Sequence, residues 1–264
     1  MKSRLALLDS GWLTMETPET PMHVGGLMLY EVPGNASQNF MQDTLNWMMN
    51  VTEVAKPFNR KLSGKLPMNL DAAWVEDHDI DMDYHIRHSA LPRPGRIREL
   101  LALVSRLHAQ RMDRAHPLWE AYLIEGIEGN RFALYVKIHH SLVDGVAAMR
   151  ILQSRLGKSA QDKLPPPWSA EWESLETKKP KNPKVSGPGL AESIKALSNV
   201  AVNLAKLAAT PKESHVKSIY KAPATVLNKR VQPARRFVAQ SWSLRRLKNV
   251  AKHYDCTLND VVLA

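Results

Sequence analysis

The sequence predicts an open mixed α/β sheet flanked by helices. Two observations carry that expectation. Pro117 to Ile124 and Arg131 to Ile138 are short apolar runs rich in β-branched and aromatic residues, joined through Glu128-Gly129-Asn130 as in a hairpin. Helical periodicities interrupt the strand-like segments irregularly, without the strict βα repeat of a parallel doubly wound fold. With 264 residues and 44% apolar content, the chain can bury one large core or two small ones.

In chain order, Leu5 to Thr14 reads as a short helix with Trp12 packed, broken by Thr17-Pro18-Glu19-Thr20-Pro21. Met22 to Val32 reads as a strand, where Gly25-Gly26 marks a bulge or the close approach of another backbone. Phe40 to Val54 is an amphipathic helix, and Asp71 to Leu91 is extended. Within that stretch Asp77, Asp79, Asp81, Asp83 and His85 share one face at period two, a solvated strand face. It fails as a calcium loop because Met82 stands at the glycine position and His88 at the closing glutamate, so no metal is expected. Ile97, Leu100, Leu101, Val104 and Leu107 form a helical stripe. Leu164-Pro165-Pro166-Pro167-Trp168 and Lys178 to Lys184 have the composition of extended, mobile linker. Leu190 to Ala208 shows an amphipathic helical stripe. Arg235 to Ser243 reads as a strand, Leu244 to His253 as a helix, and Thr257 to Ala264 as the start of another.

The chemistry concentrates at Ile138-His139-His140-Ser141-Leu142-Val143-Asp144-Gly145. Successive strand side chains alternate between faces, so Phe132, Leu134, Val136 and Ile138 share one face. His140 falls in register with them and is expected to face the interior, whereas His139 falls with Ala133, Tyr135 and Lys137. Gly145 then opens a helix, with Val146, Met149, Leu152 and Leu156 at helical spacing. An imidazole in an apolar site is disfavoured as the cation and can accept a proton near neutrality. A carboxylate four residues on can orient a ring, cap the helix or anchor the turn, and Gly145 permits a backbone shape that other residues resist. The plainer alternative is a satisfied core histidine beside a capping Asp144; two adjacent histidines followed by Asp-Gly at a strand end favour a general base.

Composition narrows the function classes. One cysteine, Cys256, excludes an internal disulfide and fits a reducing, cytoplasmic setting. No apolar run approaches the roughly 20 residues of a membrane span, and the apolar start is too short for a signal peptide. The net charge of +10 is uneven: residues 1–156 carry −1 and residues 157–264 carry +11. A basic half suits nucleic acid, an anionic membrane or a phosphorylated substrate. Nucleic acid is not expected, because no recognition motif accompanies the charge and aromatics are not interleaved with it.

His139-His140-Ser141-Leu142-Val143-Asp144-Gly145 resembles the His-His-x-x-x-Asp-Gly signature of acyltransferases related to chloramphenicol acetyltransferase and of peptide-synthetase condensation domains. Pro21-Met22-His23-Val24-Gly25-Gly26, Pro117-Leu118-Trp119, that signature and Asn259-Asp260-Val261-Val262-Leu263-Ala264 stand in the order found in bacterial wax ester synthase/diacylglycerol acyltransferases. The resemblance covers nearly the whole chain. It implies a chloramphenicol acetyltransferase-like sandwich with two domains around a shared tunnel. It also implies transfer of a fatty acyl group from acyl-coenzyme A to a long-chain alcohol or diacylglycerol, with acyl-coenzyme A as substrate and no cofactor. The expected organisation is an N-terminal acyltransferase domain over 1–156, a basic linker and amphipathic helix over 157–225, and the start of a second domain over 226–264. The sequence departs from the family by stopping where that second domain has barely begun, so the remaining C-terminal half is an expected partner for activity.

By the resemblance, His140 is the general base, with His139 and Asp144 in support. Gly145 belongs to the turn. Pro117, Leu118 and Trp119 shape the sheet or are plain core, and Asn259 is either a hydrogen-bond donor to the oxyanion or a helix cap. Basic residues of the second half are expected to meet coenzyme A phosphates or anionic lipid, placing the protein peripherally on the inner membrane or on lipid inclusions. Three rival readings stay open: a condensation domain fed by a carrier protein, a thiol enzyme built on His253 and Cys256, and a non-catalytic lipid-binding module.

Overall fold

The computed structural model describes residues 2–64, 72–159, 164–172 and 231–264, with 162, 225 and 229 as single positions. The expected linker at Lys178 to Lys184 and the expected helix at Leu190 to Ala208 lie outside the described residues.

The central element is the predicted hairpin. β6 (Trp119–Ile127) and β7 (Arg131–His139) pair antiparallel, and Gly129 and Asn130 turn the chain with φ of 82° and 55°. Glycine and asparagine tolerate that left-handed backbone, which is why this dipeptide closes the loop. β2 (His23–Glu31) adds antiparallel to β7, and β5 (Ile86–Ala90) adds parallel to β6, giving a mixed sheet in the order β2-β7-β6-β5. The parallel pair requires a crossover, which α4 (Ile97–Ala109) supplies. A second antiparallel sheet, β1-β4-β3, is built from β1 (Lys2–Arg4), β4 (Ala73–Glu76) and β3 (Arg60–Ser63).

Two cores result, one on each face of the larger sheet. On one face Trp119, Ala121, Leu123, Val136 and Ile138 pack with Met48 of α2 (Phe40–Met49), Ala148 of α5 (Gly145–Ser154) and Trp168. On the other, Tyr122, Ile124, Ala133 and Tyr135 pack with Leu100 and Val104 of α4. α1 (Leu7–Met15), α6 (Leu244–His253) and α7 (Leu258–Leu263) fall where the sequence places helices.

Four expectations are corrected. The Gly25-Gly26 pair makes no bulge, since nine consecutive pairs align β2 with β7. What comes close to Gly25 is a side chain: a Cβ there would sit 2.6 Å from the Tyr135 hydroxyl oxygen. The period-two acidic row ends early, because the Asp81 carboxylate accepts from the backbone N–H groups of Asp83 and Tyr84 and starts a helical turn, α3 (Met82–His85). His85 is thereby fully buried rather than solvated. The Pro165-Pro166-Pro167-Trp168 segment is docked, with Trp168 stacked on Trp119 at 5.2 Å and its indole N–H donating to the Met48 carbonyl. Arg235 to Ser243 forms no strand and finds no partner strand among the described residues, and an apolar pattern without a ladder partner does not make a strand.

Candidate active site

The last residue of β7 is His139, paired with His23 of β2. Beyond it the chain turns tightly, with the Leu142 N–H donating to the His139 carbonyl at 2.9 Å. The turn ends at Asp144, whose carboxylate accepts the Ala147 N–H at 2.7 Å and caps α5. This one strand–turn–helix unit brings together His139, His140, Asp144 and Gly145. Gly145 does not need glycine's freedom there: its φ is not positive, and a Cβ would meet nothing within 4 Å among the described residues.

His139 keeps the face that parity assigns it, with Ala133, Tyr135 and Lys137, but His140 does not face the interior as expected. His139 is 1% exposed, whereas His140 is half-exposed. Alternation holds through Ile138, but β7 ends at His139, so the face of His140 is set by the turn and not by the pleat. One ring nitrogen of His139 is hydrogen-bonded, and the other is buried against a carboxylate without a hydrogen bond among the described residues. Nδ1 accepts the Ser141 backbone N–H at 3.1 Å and lies 2.6 Å from the Ser141 hydroxyl. A backbone N–H can only donate, so the ring proton of neutral His139 sits on Nε2. Nε2 faces the Glu16 carboxylate at 3.5 Å, an electrostatic contact longer than a well-formed hydrogen bond.

Glu16 belongs to no motif that marks it in the sequence. Its other oxygen pairs with Arg114 at 2.8 Å, and Arg114 also donates to the Leu13 carbonyl. Burial pushes the Glu16 carboxyl up, but His139, Arg114 and the Met22 N–H together outweigh it and hold the group at about 2. A fixed negative charge therefore stands behind His139 at neutral pH. On the same helix, the Trp12 ring stacks on His140, centroids 5.0 Å apart and planes 21° from parallel. The His140 N–H donates to the Met22 carbonyl, but neither ring nitrogen takes a hydrogen bond from the described residues. His140 is the histidine left with a free ring edge.

Pro117, Leu118 and Trp119 lie beside this turn and are buried. The Leu118 carbonyl accepts the His139 N–H at 3.0 Å, and the Trp119 indole N–H donates to the Phe58 carbonyl at 2.8 Å. They hold the neighbouring strand. Asn259 is exposed on α7, and no contact joins it to the histidine turn among the described residues. The cap of that helix is made by Thr257 and Asp260. His253 and Cys256 share no hydrogen bond among the described residues.

The apolar row of β7 that leads to the turn lines a cavity of about 890 Å³. Phe132, Leu134, Val136 and Ile138 form its floor, and Ala148, Ile151 and Trp168 help to close it. No group of three or more His, Cys, Asp or Glu residues is placed to hold a metal ion among the described residues.

Residues 5–262 match the wax ester synthase/diacylglycerol acyltransferase catalytic domain. An O-acyltransferase of Acinetobacter baylyi is 43% identical over 97% of this chain and 56% of its own length. A putative diacylglycerol O-acyltransferase of Mycobacterium tuberculosis is 38% identical over 97% of this chain and 57% of its own. The solved wax ester synthase/diacylglycerol acyltransferase of Marinobacter aquaeolei superposes with a TM-score of 0.74 at 38% identity, covering 98% of this chain and 58% of that one. The tallysomycin biosynthesis protein TlmII shares the fold alone, at TM-score 0.50 and 13% identity. The chain thus spans rather more than half the length of the relatives it matches.

Proposed function

The chain belongs to the wax ester synthase/diacylglycerol acyltransferase family, and from that membership we propose that it moves a fatty acyl group from acyl-coenzyme A to a long-chain alcohol or diacylglycerol. The observation that carries this reading is the asymmetry of the histidine pair. His139 is buried, bonded to Ser141 and set against Glu16, while His140 is half-exposed with an unbonded ring edge, two residues in sequence beyond Ile138, the last of the apolar row that lines the cavity. A hydrocarbon chain suits a volume floored by Phe132, Leu134, Val136 and Ile138.

In the proposed step, a His140 ring nitrogen takes the proton from the acceptor hydroxyl as its oxygen attacks the thioester carbonyl. The tetrahedral intermediate collapses, the carbon–sulfur bond breaks, and the thiolate recovers the proton from His140. Ester and free thiol are formed with no covalent acyl-enzyme. Asp144 holds the turn through its cap, and His139 anchors the strand end. Asn259, exposed on α7, is the proposed hydrogen-bond donor to the oxyanion.

Because relatives are longer than this chain, activity is proposed for the protein carrying their full length, with the C-terminal half supplying the rest of the site. The experiment is thiol release from acyl-coenzyme A with hexadecanol. His140→Ala is expected to lose about 10²–10⁴-fold in rate with an unchanged melting curve. Undiminished release by that variant would remove His140 from the chemistry.

No helix of the described residues is long and apolar enough to cross a membrane. We propose peripheral attachment to anionic lipid, supported by the +11 of residues 157–264 and by Arg245, Arg246, Lys248 and Lys252 on α6. Vesicle sedimentation that weakens with salt is expected; equal binding to neutral vesicles would exclude the electrostatic attachment.

A further inference from the structure

α1 touches both histidines with two side chains one helical turn apart. Trp12 lies against the His140 ring, and Glu16, the C-terminal cap residue of the helix, lies against the His139 ring. Trp12 lies in the last turn of the helix and Glu16 immediately follows its last residue, so the end of a single element reaches both members of the pair. Each contact is itself braced. Leu13, between them, is buried in the core, and its carbonyl accepts from the Arg114 side chain that also pairs with Glu16. The Met22 N–H donates to Glu16 at 3.3 Å, while the Met22 carbonyl accepts the His140 N–H at 2.9 Å. The helix, the start of β2 and the end of β7 are therefore tied together around the two rings.

We propose that α1 is a clamp on the histidine pair, in which Trp12 and Glu16 are positioning residues that fix the plane of His140 and the tautomer of His139 for the transfer step. The inference rests on His140 acting as the base. A ring with no hydrogen bond of its own can rotate about its side-chain torsions, and the near-parallel Trp12 face restricts that rotation while leaving the ring edge free. The ionised Glu16 favours a proton on Nε2 of His139, which leaves Nδ1 to accept the Ser141 N–H and so closes the turn that presents His140. A reacting group misplaced by about 1 Å can lose about a hundredfold in rate, so constraint at this point acts on turnover rather than on substrate affinity.

The test uses the protein at the full length of its relatives, with kcat and KM for acyl-coenzyme A and hexadecanol measured beside thermal melting. Trp12→Leu, which keeps apolar volume but not the flat face, is expected to lower kcat about ten- to a hundredfold with KM and melting temperature little changed. Trp12→Phe is expected to restore most of that kcat. Nitrogen chemical shifts of His139 should report a proton on Nε2 in the parent, and Glu16→Gln, which keeps an acceptor but not the charge, should populate the other tautomer and lower kcat. Parental kcat in Trp12→Leu, beside an inactive His140→Ala, would overturn the clamp and leave the base standing. A loss in Trp12→Leu that follows melting temperature and is not rescued by Trp12→Phe would reduce Trp12 to core packing and also overturn it. A His139 proton on Nδ1 in the parent would remove the Glu16 half. A fully active His140→Ala would instead sink the base itself.

Discussion

The two faces of β7 use the same pleat for opposite ends. Phe132, Leu134, Val136 and Ile138 face a cavity and hold it with non-directional apolar contacts. Tyr135, Lys137 and His139 face α4 and α1 and are held by directional polar bonds. The Lys137 ammonium, with no exposed surface, donates to the Leu107 and Gln110 carbonyls at 3.1 and 3.0 Å and pairs with Glu120 at 2.9 Å. The Tyr122 hydroxyl donates to the same carboxylate at 2.5 Å, and the Tyr135 hydroxyl meets His108 at 2.7 Å. Non-directional packing tolerates different occupants, which suits a volume proposed to take hydrocarbon chains. Directional bonding fixes register, which suits a strand whose end must present a histidine. One face makes room, and the other prevents the end of the strand from moving.

The contrast is broken most severely by adjacent substitutions on opposite faces. Lys137→Met leaves the buried Glu120 charge uncompensated and is expected to cost about 3–5 kcal/mol of unfolding free energy. Ile138→Val removes one methylene from the cavity floor and is expected to cost about 0.5–1.5 kcal/mol. Denaturant unfolding measures both. Adding Glu120→Leu to Lys137→Met should recover much of the loss, because a pair replaced by apolar groups can be nearly neutral. Similar costs for the two single variants would show that the polar face is no more constrained than the apolar one.

Acid should test both faces at once. His23 stands on the polar side with its Nε2–H donating to the His108 carbonyl at 2.8 Å. His85 stacks on Trp119 on the cavity side, its Nδ1–H donating to the Trp119 carbonyl at 2.8 Å. In each the second ring nitrogen is buried without a hydrogen-bond partner among the described residues. Burial lowers both, against the bond to the carbonyl, from 6.5 to about 4. The unfolded chain binds these protons first, so the stability each neutral ring contributes is complete above about pH 6.5 and is lost as pH falls towards 4. The expected loss is about 2–3 kcal/mol for each. His85→Phe and His23→Phe should each flatten part of the pH–stability curve in that window. A curve flat from pH 7 to 4 in the parent protein would contradict the buried neutral state of both.

Much of this was legible in the sequence because it depends on local pattern. The hairpin followed from Gly129-Asn130 between two β-rich runs, and the stripe of α4 from its spacing. What failed depended on where elements end or on what they meet. Strand parity was sound to Ile138 and wrong for His140, because the Ser141 N–H turns back onto the His139 ring. The acidic row broke at Asp81 because a short carboxylate prefers a nearby backbone N–H to continued pleating. Glu16 was invisible because it follows no motif, and its Arg114 partner is remote in sequence. The proline segment read as linker by composition, whereas burial of Trp168 decides its place.

The smallest expected effect falls where the two faces end together. Asp144 closes the turn after His139 and His140, and among the described residues its side chain makes one hydrogen bond, the cap on the Ala147 N–H at 2.7 Å, on the exposed side of the turn. Removing a cap typically costs about 1 kcal/mol, which for a chain of this size lowers the melting temperature by about 2–4 °C. Asp144→Ala should show that drop, while Asp144→Asn, which keeps an accepting oxygen at the same place, should melt close to the parent. If capping is the whole contribution, thiol release should return in Asp144→Asn along with the melting temperature, because the charge takes no part in moving the proton. If Asp144→Asn melts like the parent but stays inactive, the carboxylate charge acts on the histidine pair directly. Asp144 would then stand with Glu16 as a second fixed charge behind the rings, and the turn would be more than the place where the directional face stops.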